Sequence, residues 1–236
     1  MRINISSYQN IVILTGAGIS VASGLPTYRG DGGLWNDRSL SEVVSAKGLR
    51  EKPSEVWSFS MGLRQKALAA EPNAAHLALA EAEQRASGAF TLITQNVDGL
   101  HQRAGSCNVL ELHGSVHRIR CTRCKAPSIE ARGAPESPTK CVDCGAPVRP
   151  DVVLFDELLP PSPEHLAKRA LRDCDLFIAI GTSGNVFPAA NFVRSARYAR
   201  AETILINLGV EQQESSFDKV YRERAEAFLP SFLGVA

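Results

Sequence analysis

The segment 89-AFTLITQNVDGLH-101 decides the fold, because an apolar run leads directly into a cluster of amide, carboxylate and imidazole groups. Residues 89–93 predict a buried strand, so the polar side chains emerge at its carboxyl end. Open α/β sheets bind their ligands at that edge. A second polar group, Glu111-Leu112-His113-Gly114, follows shortly afterwards. We therefore expect the chemistry of this protein to lie at the carboxyl edge of a sheet.

Three further segments repeat the pattern of an apolar strand that ends in small or polar residues. They are Ile11–Leu14 before Thr15–Ser20, Leu176–Ile180 before Gly181–Asn185, and Thr203–Ile206 before Asn207. Because the predicted strands alternate with helices, they should run parallel and end at one edge. The four segments together predict a doubly wound, Rossmann-type α/β sheet that holds a dinucleotide across this edge.

The first of these turns has the composition of a phosphate-binding loop. Gly16 and Gly18 would let the backbone approach a pyrophosphate, and a helix that follows would direct its N–H groups at it. Val21 stands at the third glycine position of the usual motif. The turn alone therefore also fits an ordinary strand–turn–helix connection. The glycine-rich loop from Pro26 to Trp35 could close over a ligand, although it also fits a surface loop.

The composition argues against several classes of partner. The 236 residues include 26 Lys and Arg against 25 Asp and Glu, so no overall field would recruit nucleic acid or an anionic membrane. The N-terminal residues form no secretory hydrophobic run, and no segment approaches the roughly 18 apolar residues of a membrane span. We expect a cytoplasmic protein.

Four of the six cysteines form two C-x-x-C pairs. The spacing Cys121-x2-Cys124-x16-Cys141-x2-Cys144 is typical of a tetrahedral Zn²⁺ site with four thiolates. A closed set of four thiolates leaves no position for water, which favours a structural zinc. Cys107 and Cys174 are interpreted as small core residues.

The remaining pattern predicts helices and strands around this core. Two or three helices are expected from Ser41 to about Ala70, with Pro53 as a break. Further helices should start at Pro72–His76, after Pro160, near Pro188 and at about Phe217, the last running towards Leu229. A strand is expected at Val152–Phe155. The chain is interpreted as a single domain, residues 1–236, with a helical insertion at about 36–70 and a zinc module at about 117–150.

The chain resembles the bacterial-type sirtuins, the NAD-dependent protein-lysine deacylases, on motifs that span nearly its whole length. Besides the four cysteines, the matching pieces are Gly16–Ser20, Ser23–Arg29, Gly33–Trp35, Pro72–His76, Thr94–His101, Leu112–Gly114 and Gly181–Ser183. The resemblance implies deacylation, most simply deacetylation, in which the acyl group passes to ADP-ribose and nicotinamide is released. Two alternatives remain open: a mono-ADP-ribosyltransferase or NAD hydrolase, and a non-catalytic NAD-sensing module.

The resemblance also implies the site residues. His113 would act as general base on a ribose hydroxyl, a task that suits an imidazole near neutral pH. Asn96 and Asp98 would line the nicotinamide pocket and take part in catalysis. The wider NAD site would include Gly16, Ala17, Gly18, Ser20, Thr27, Tyr28, Arg29, Trp35, Gln95, Val97, Gly181, Thr182, Ser183, Asn207 and Ala225.

The acylated lysine of a protein or peptide would enter from the opposite side, its backbone adding as a strand between two segments. These segments contribute Val153 and Phe155 on one side and Asn185 and Val186 on the other. Asp156 departs from the family's glycine, as Glu223 does near the adenine end.

The acyl pocket is predicted at Ser60 and Leu63, by counting back from Pro72-Asn73. Sirtuins that prefer dicarboxylic acyl groups carry tyrosine and arginine at these positions. Leu63 favours neutral acyl groups, because a buried carboxylate needs a charged partner. Arg64 would point about 100° away on an ideal helix. If Arg64 faced inward instead, a desuccinylase would be expected.

Overall fold

The computed structural model describes residues 2–29, 32–124, 128–130, 138–184, 189–209 and 214–235. Its strands, numbered in chain order, are β1 Asn10–Thr15, β2 Ala89–Thr94, β3 Val109–Glu111, β4 Gly114–Cys121, β5 Ile129–Glu130, β6 Val148–Val152, β7 Leu176–Ile180, β8 Glu202–Ile206 and β9 Lys219–Tyr221. Its α-helices are α1 Arg38–Val43, α2 Ala46–Glu51, α3 Pro53–Ala69, α4 Ala74–Arg85, α5 Leu100–Arg103, α6 Pro161–Arg172, α7 Phe192–Tyr198 and α8 Ala225–Leu233.

Six strands form one parallel sheet in the order β3-β2-β1-β7-β8-β9. The strand order reverses between β1 and β7, which pair from Ile11 with Leu176 to Thr15 with Ile180. Such a reversal opens a crevice at the carboxyl ends of the two strands, where α/β proteins bind ligands. The predicted Rossmann-type sheet is confirmed.

The central strands are apolar on both faces because both faces are covered. One core joins Ile13 and Ile178 to the inward sides of α4 and α8, and a second joins Val12 and Phe177 to those of α6 and α7. Burial on both faces explains why β1 and β7 are near-continuous apolar runs without alternation. A doubly wound sheet is the result.

A smaller antiparallel sheet, in the order β5-β4-β6, carries the cysteine pairs. Helix α3 packs on it through Trp57 and Met61, which share a core with Ile119 and Val148. The three helices α1, α2 and α3 agree with the expected helical segment, and Pro53 is the first residue of α3. In the described part of the chain, none of the helices is long and apolar enough to cross a membrane.

Two of the predicted elements are wrong for tertiary reasons. The expected strand at Val152–Phe155 is instead β6, which ends at Val152. The Val153 amide donates to the His113 carbonyl at 2.9 Å and the Leu154 amide to the Glu157 carboxylate at 2.9 Å, so the chain turns. The expected helix from Phe217 is interrupted by β9, which pairs with the edge of β8, and α8 begins only at Ala225.

The glycine turn after β1 leads into a 3₁₀ helix, Ala17–Ser23, and not into an α-helix. The Ile19 amide donates to the Gly16 carbonyl and the Gly24 amide to that of Val21, each three residues back. Glycine at positions 16, 18 and 24 lowers the propensity for a regular α-helix. The helix expected near Pro188 is a 3₁₀ turn followed by α7, although Pro188 itself lies outside the described residues.

Candidate active site

A cavity of about 1450 Å³ follows the crevice at the carboxyl ends of the central strands. It brings together nearly all of the predicted site residues. Ser20 and Asp98 are buried behind its wall and do not line it, and Asn185 and Val186 lie outside the described residues. The predicted residues that line it are Gly16, Ala17, Gly18, Thr27, Tyr28, Arg29, Trp35, Ser60, Leu63, Gln95, Asn96, Val97, His113, Val153, Phe155, Gly181, Thr182, Ser183, Asn207 and Ala225.

Two glycine turns meet in backbone-to-backbone contact at one end of the cavity. The Gly16 amide donates to the Ile180 carbonyl at 3.0 Å and the Gly18 amide to the Gly181 carbonyl at 2.9 Å. A Cβ on Gly16 would lie 2.7 Å from the Gly181 oxygen, and one on Gly181 would lie 2.5 Å from the Ile19 nitrogen. Gly181 also has φ +59°. Only glycine fits here, and the cavity wall is therefore bare backbone that a phosphate can approach closely.

The loop after β2 carries a buried polar network. The side-chain Nδ2 of Asn96 donates to the Gly16 carbonyl and to Ser20 Oγ, both at 3.2 Å. Ser20 in turn donates to Asp98 Oδ2 at 2.8 Å, and the Leu100 amide donates to Asp98 Oδ1 at 3.0 Å. Asn96 Oδ1 is buried without a hydrogen-bond partner among the described residues. Asn96 thus keeps one unused acceptor position at the cavity wall.

Burial raises the pKa of Asp98 above its ordinary value, although the hydrogen bonds from the Leu100 amide and Ser20 oppose this effect. The carboxyl group thus has two donors but little solvent. Asp98 accepts a hydrogen bond from Ser20, and Ser20 accepts one from Asn96, so the orientation of Asn96 depends on Asp98. Asp98 thus does not line the cavity itself but orients the lining residue Asn96 through Ser20.

His113 lies in the short loop between β3 and β4. Its Nδ1 is 2.9 Å from the Gln95 carbonyl oxygen, which can only accept, so Nδ1 carries the proton. The lone pair of the neutral ring therefore belongs to Nε2. Burial lowers the pKa of His113 below 6.5, and the hydrogen bond to Gln95 only partly offsets this. The imidazole is consequently neutral at physiological pH and can accept a proton.

The other end of the cavity is apolar. Trp35 stacks on Tyr28 at 5.2 Å between ring centroids and meets Phe155 edge-on at 5.0 Å. Leu63 lines the cavity, and the Ser60 hydroxyl is turned back to the Val56 carbonyl at 2.8 Å. The apolar lining residues that were not predicted from the sequence include Val44, Phe59, Val116 and Leu154. Phe59 could have been predicted from the sequence, because it lies one helical turn before Leu63 on the same face.

Arg64 is not among the residues that line the cavity. This agrees with the angle of about 100° between neighbouring positions on an α-helix, which directs Arg64 away from the face of α3 that carries Leu63.

The opposite end is closed by the turns after β7 and β8. Gln95 Nε2 donates to Thr182 Oγ1 at 2.8 Å, and Asn207 Nδ2 donates to the Thr182 carbonyl at 3.2 Å. Ala225 is buried at the start of α8, and Glu223 lies on the cavity rim. These contacts fix the two turns relative to the loop after β2.

Three other histidines have structural contacts. His76 accepts from the Asn73 amide at 3.3 Å in a capping box at the start of α4. His101 is 2.9 Å from Thr15 Oγ1, and His117 donates to the Asp98 carbonyl at 2.8 Å. Cys174 is a buried core residue, as predicted. The prediction for Cys107 is wrong, because its amide is held by Glu83 in an exposed turn.

The four cysteines of the two C-x-x-C pairs converge, with all their sulfur atoms within 4.8 Å of one another. The Cys121 and Cys144 sulfurs are 3.5 Å apart and those of Cys124 and Cys141 are 3.6 Å apart. A tetrahedron with Zn–S bonds of about 2.3 Å has edges of nearly this length. The donor set and its spacing fit a zinc ion.

The reversal of strand order, the bare glycine turns and the cavity along them define a Rossmann-type α/β protein with its ligand site at the switch point. A model of the Sir2 family matches residues 16–188. The chain belongs to the Sir2 family.

Curated relatives and solved structures agree with this assignment. An NAD-dependent protein deacylase of Pasteurella multocida is 40% identical over 227 residues, covering 94% of this chain and 96% of the relative. One from Aquifex aeolicus is 42% identical over 221 residues, covering 93% and 92%. A Sir2 homologue in complex with NAD superposes with a TM-score of 0.89 at 39% identity, covering 97% and 89%.

A Sir2 variant with a deacetylated p53 peptide and 3′-O-acetyl ADP-ribose superposes with a TM-score of 0.82 at 30% identity, covering 95% of this chain and 92% of that one.

Proposed function

We propose that the protein is an NAD-dependent protein-lysine deacylase, most simply a deacetylase, which transfers the acyl group to ADP-ribose and releases nicotinamide. The observation that carries the proposal is the neutral imidazole of His113, which lines the cavity between the glycine turns and the apolar end. The names of the relatives support it, as do the NAD, peptide and acetyl ADP-ribose held by solved Sir2 proteins. The proposal treats the chain as one catalytic domain.

NAD, as co-substrate, would lie along the glycine end. The bare backbone at Gly16, Gly18 and Gly181 suits the pyrophosphate, because no side chain keeps the phosphates from approaching it closely. Asn96 Oδ1, buried and unpaired, suits the carboxamide N–H of nicotinamide. Asp98 and Ser20 keep Asn96 in place through the hydrogen bonds described above.

His113 would act as the general base. Its Nδ1–H is committed to Gln95, so Nε2 is the nitrogen that takes a proton from a ribose hydroxyl of the co-substrate. The apolar cavity wall excludes water while the nicotinamide bond breaks, which favours transfer to the acyl oxygen over hydrolysis. His113 returns the proton when the lysine amine is released, and one water admitted after nicotinamide has left completes this release.

Zinc would be held by the four cysteines and would supply no chemistry beyond cross-linking the small sheet, since four thiolates complete the tetrahedron. A reduced four-thiolate set suits the cytoplasm, because thiols there are kept from oxidation.

The first expected result concerns the acyl group. Because Leu63 lines the cavity and Arg64 does not, acetyl peptides should be turned over at least about tenfold better than succinyl peptides. Leu63→Arg should raise the relative rate with succinyl peptide by placing a cation beside its carboxylate. Leu68→Arg, an exposed change on the same helix, is the matched control. Succinyl preference in the unaltered enzyme would contradict the assignment of this pocket.

The second expected result concerns pH. His113 is active when neutral, and burial lowers its pKa, so activity should persist as the pH falls below 6.5 and decline only at more acidic values. The acid limb of kcat/KM for the free enzyme, measured by nicotinamide release, reports this pKa. A midpoint above 6.5 would mean that another group limits the reaction or that His113 is not desolvated.

A panel of acetyl, succinyl and myristoyl peptides incubated with NAD tests the proposed function. We expect nicotinamide and deacylated peptide to appear together. Nicotinamide without deacylation would favour an NAD hydrolase, and mass added to the peptide would favour an ADP-ribosyltransferase. Neither product with any peptide would favour the non-catalytic alternative.

A further inference from the structure

The segment that follows β6 is built around an ion pair between a buried arginine and a partly buried glutamate. Arg149, on β6, is 6% exposed, and its two terminal nitrogens meet both carboxylate oxygens of Glu157, with Nη2 and Oε2 2.9 Å apart. The same guanidinium donates to the Val152 carbonyl at 2.8 Å and to the Pro150 carbonyl at 3.3 Å. This fork-to-fork geometry fixes both partners in one orientation.

Glu157 in turn fixes the backbone between the two partners. Its Oε2 accepts from the Leu154 amide at 2.9 Å, and Asp156 takes a left-handed conformation with φ 66°. The chain from Val152 to Glu157 therefore forms a turn closed by side chains. Val153 and Phe155, which are inside this turn, both line the cavity.

The outer contacts of the turn connect it to the catalytic loop and to the helical segment. The Val153 amide donates to the His113 carbonyl at 2.9 Å, and the Phe155 amide donates to the Val44 carbonyl at 3.1 Å. The turn thus spans the cavity beside His113.

The pair is ionised in the folded protein. Burial alone would raise the pKa of Glu157, but the hydrogen bonds from Arg149 and the Leu154 amide, with the charges of Arg149 and Arg120, hold it below its ordinary value. A charge pair with excellent geometry and extra hydrogen bonds is strongly weakened when one partner is neutralised.

We propose that Arg149 and Glu157 are a positioning pair for the acylated peptide: they hold the turn at Val153–Phe155, whose amides are bonded within the protein, so that its Val153 carbonyl and its cavity-lining side chains can meet the peptide beside His113. This inference rests on the proposed deacylase function. Neither side chain takes part in the chemistry. Both act through the backbone of the turn, and Glu157 in addition lines the cavity.

If the pair positions the peptide, its disruption should lower the affinity for the peptide but not the affinity for NAD. The glycine turns proposed to hold the pyrophosphate of NAD follow strands of the parallel sheet, whereas the turn at Val152–Glu157 follows β6 of the small sheet. Neutralising Glu157 should therefore weaken peptide binding and leave NAD binding unchanged. A merely structural role would weaken both.

The experiment is calorimetric titration of the full-length protein with an acetyl-lysine peptide, with a blocked single acetyl-lysine and with NAD. For Glu157→Gln we expect the peptide Kd to rise about tenfold, the loss of one charge-assisted contact. The Kd values for single acetyl-lysine and for NAD should stay within about twofold, because neither needs backbone pairing. Glu130→Gln, an exposed change in the same small sheet, should alter none of the three.

Arg149→Lys is the second variant, which keeps the positive charge but loses the two-point contact with Glu157. It should also weaken binding of the peptide without weakening binding of single acetyl-lysine or NAD. Equal weakening of all three ligands in both variants, or an unchanged peptide Kd, would overturn the positioning role. If the unaltered protein turns over peptide while the variants bind it normally, only this inference fails. If the unaltered protein neither binds nor turns over any acyl peptide, the proposed function fails with it.

Discussion

Replacing His113 with alanine is expected to lower peptide deacylation by about 10²–10⁴-fold, the usual contribution of a positioned general base. The imidazole is the neutral group whose Nδ1–H is bound to Gln95, which leaves Nε2 as the proton acceptor. NAD binding should persist, because His113 makes no contact within the glycine turns. Steady-state rates of deacylated peptide and calorimetric NAD titration measure the two effects separately.

His165→Ala is the matched control for this variant. Its imidazole is exposed on α6 and does not line the cavity. A His113→Ala protein with full turnover would remove the proposed base, and loss of NAD binding together with turnover would indicate a structural role instead.

Removal of the proposed zinc ion is expected to have the other large effect. The cysteine sulfurs share a core with Trp57 and Met61 of α3, so the metal site and the helix that carries Leu63 are packed as one unit. Stripping the metal, or Cys141→Ser, should cost about 3–5 kcal/mol and lower the melting temperature by about 10 °C or more. Deacylation should fall with the loss of ordered α3.

Zinc content by mass spectrometry and thermal unfolding by circular dichroism test this effect. Cys107→Ser serves as the control, because that thiol is exposed and lies outside the cluster. An unchanged melting temperature after complete metal loss would show that the four-thiolate site contributes nothing to stability.

Much of the fold could be predicted because the central strands are buried on both faces. Continuous apolar runs such as Ile11–Leu14 and Leu176–Ile180 leave a clear signal, and each ends in glycine where the sheet reverses order. The edge strand β9 carries no comparable signal. Its three residues are held by pairing with β8, which only the tertiary structure provides.

The parts of the site that depend on helical periodicity or on the positions of strand ends could be predicted from the sequence. The angle between Leu63 and Arg64 on α3 follows from helix geometry, and the structure keeps Leu63 on the cavity wall. The sequence does not show that Ser20 and Asp98 are buried behind Asn96, because the arrangement of side chains within a loop depends on long-range packing. The turn closed by Arg149 and Glu157 replaced the expected strand for the same reason.

The central claim is tested most directly by the stoichiometry of one reaction, with NAD, an acetyl-lysine peptide and the unaltered protein. Nicotinamide, deacetylated peptide and acetyl ADP-ribose, quantified by mass spectrometry, should appear in equal amounts. Nicotinamide and free ADP-ribose with the acetyl peptide unchanged would contradict the account.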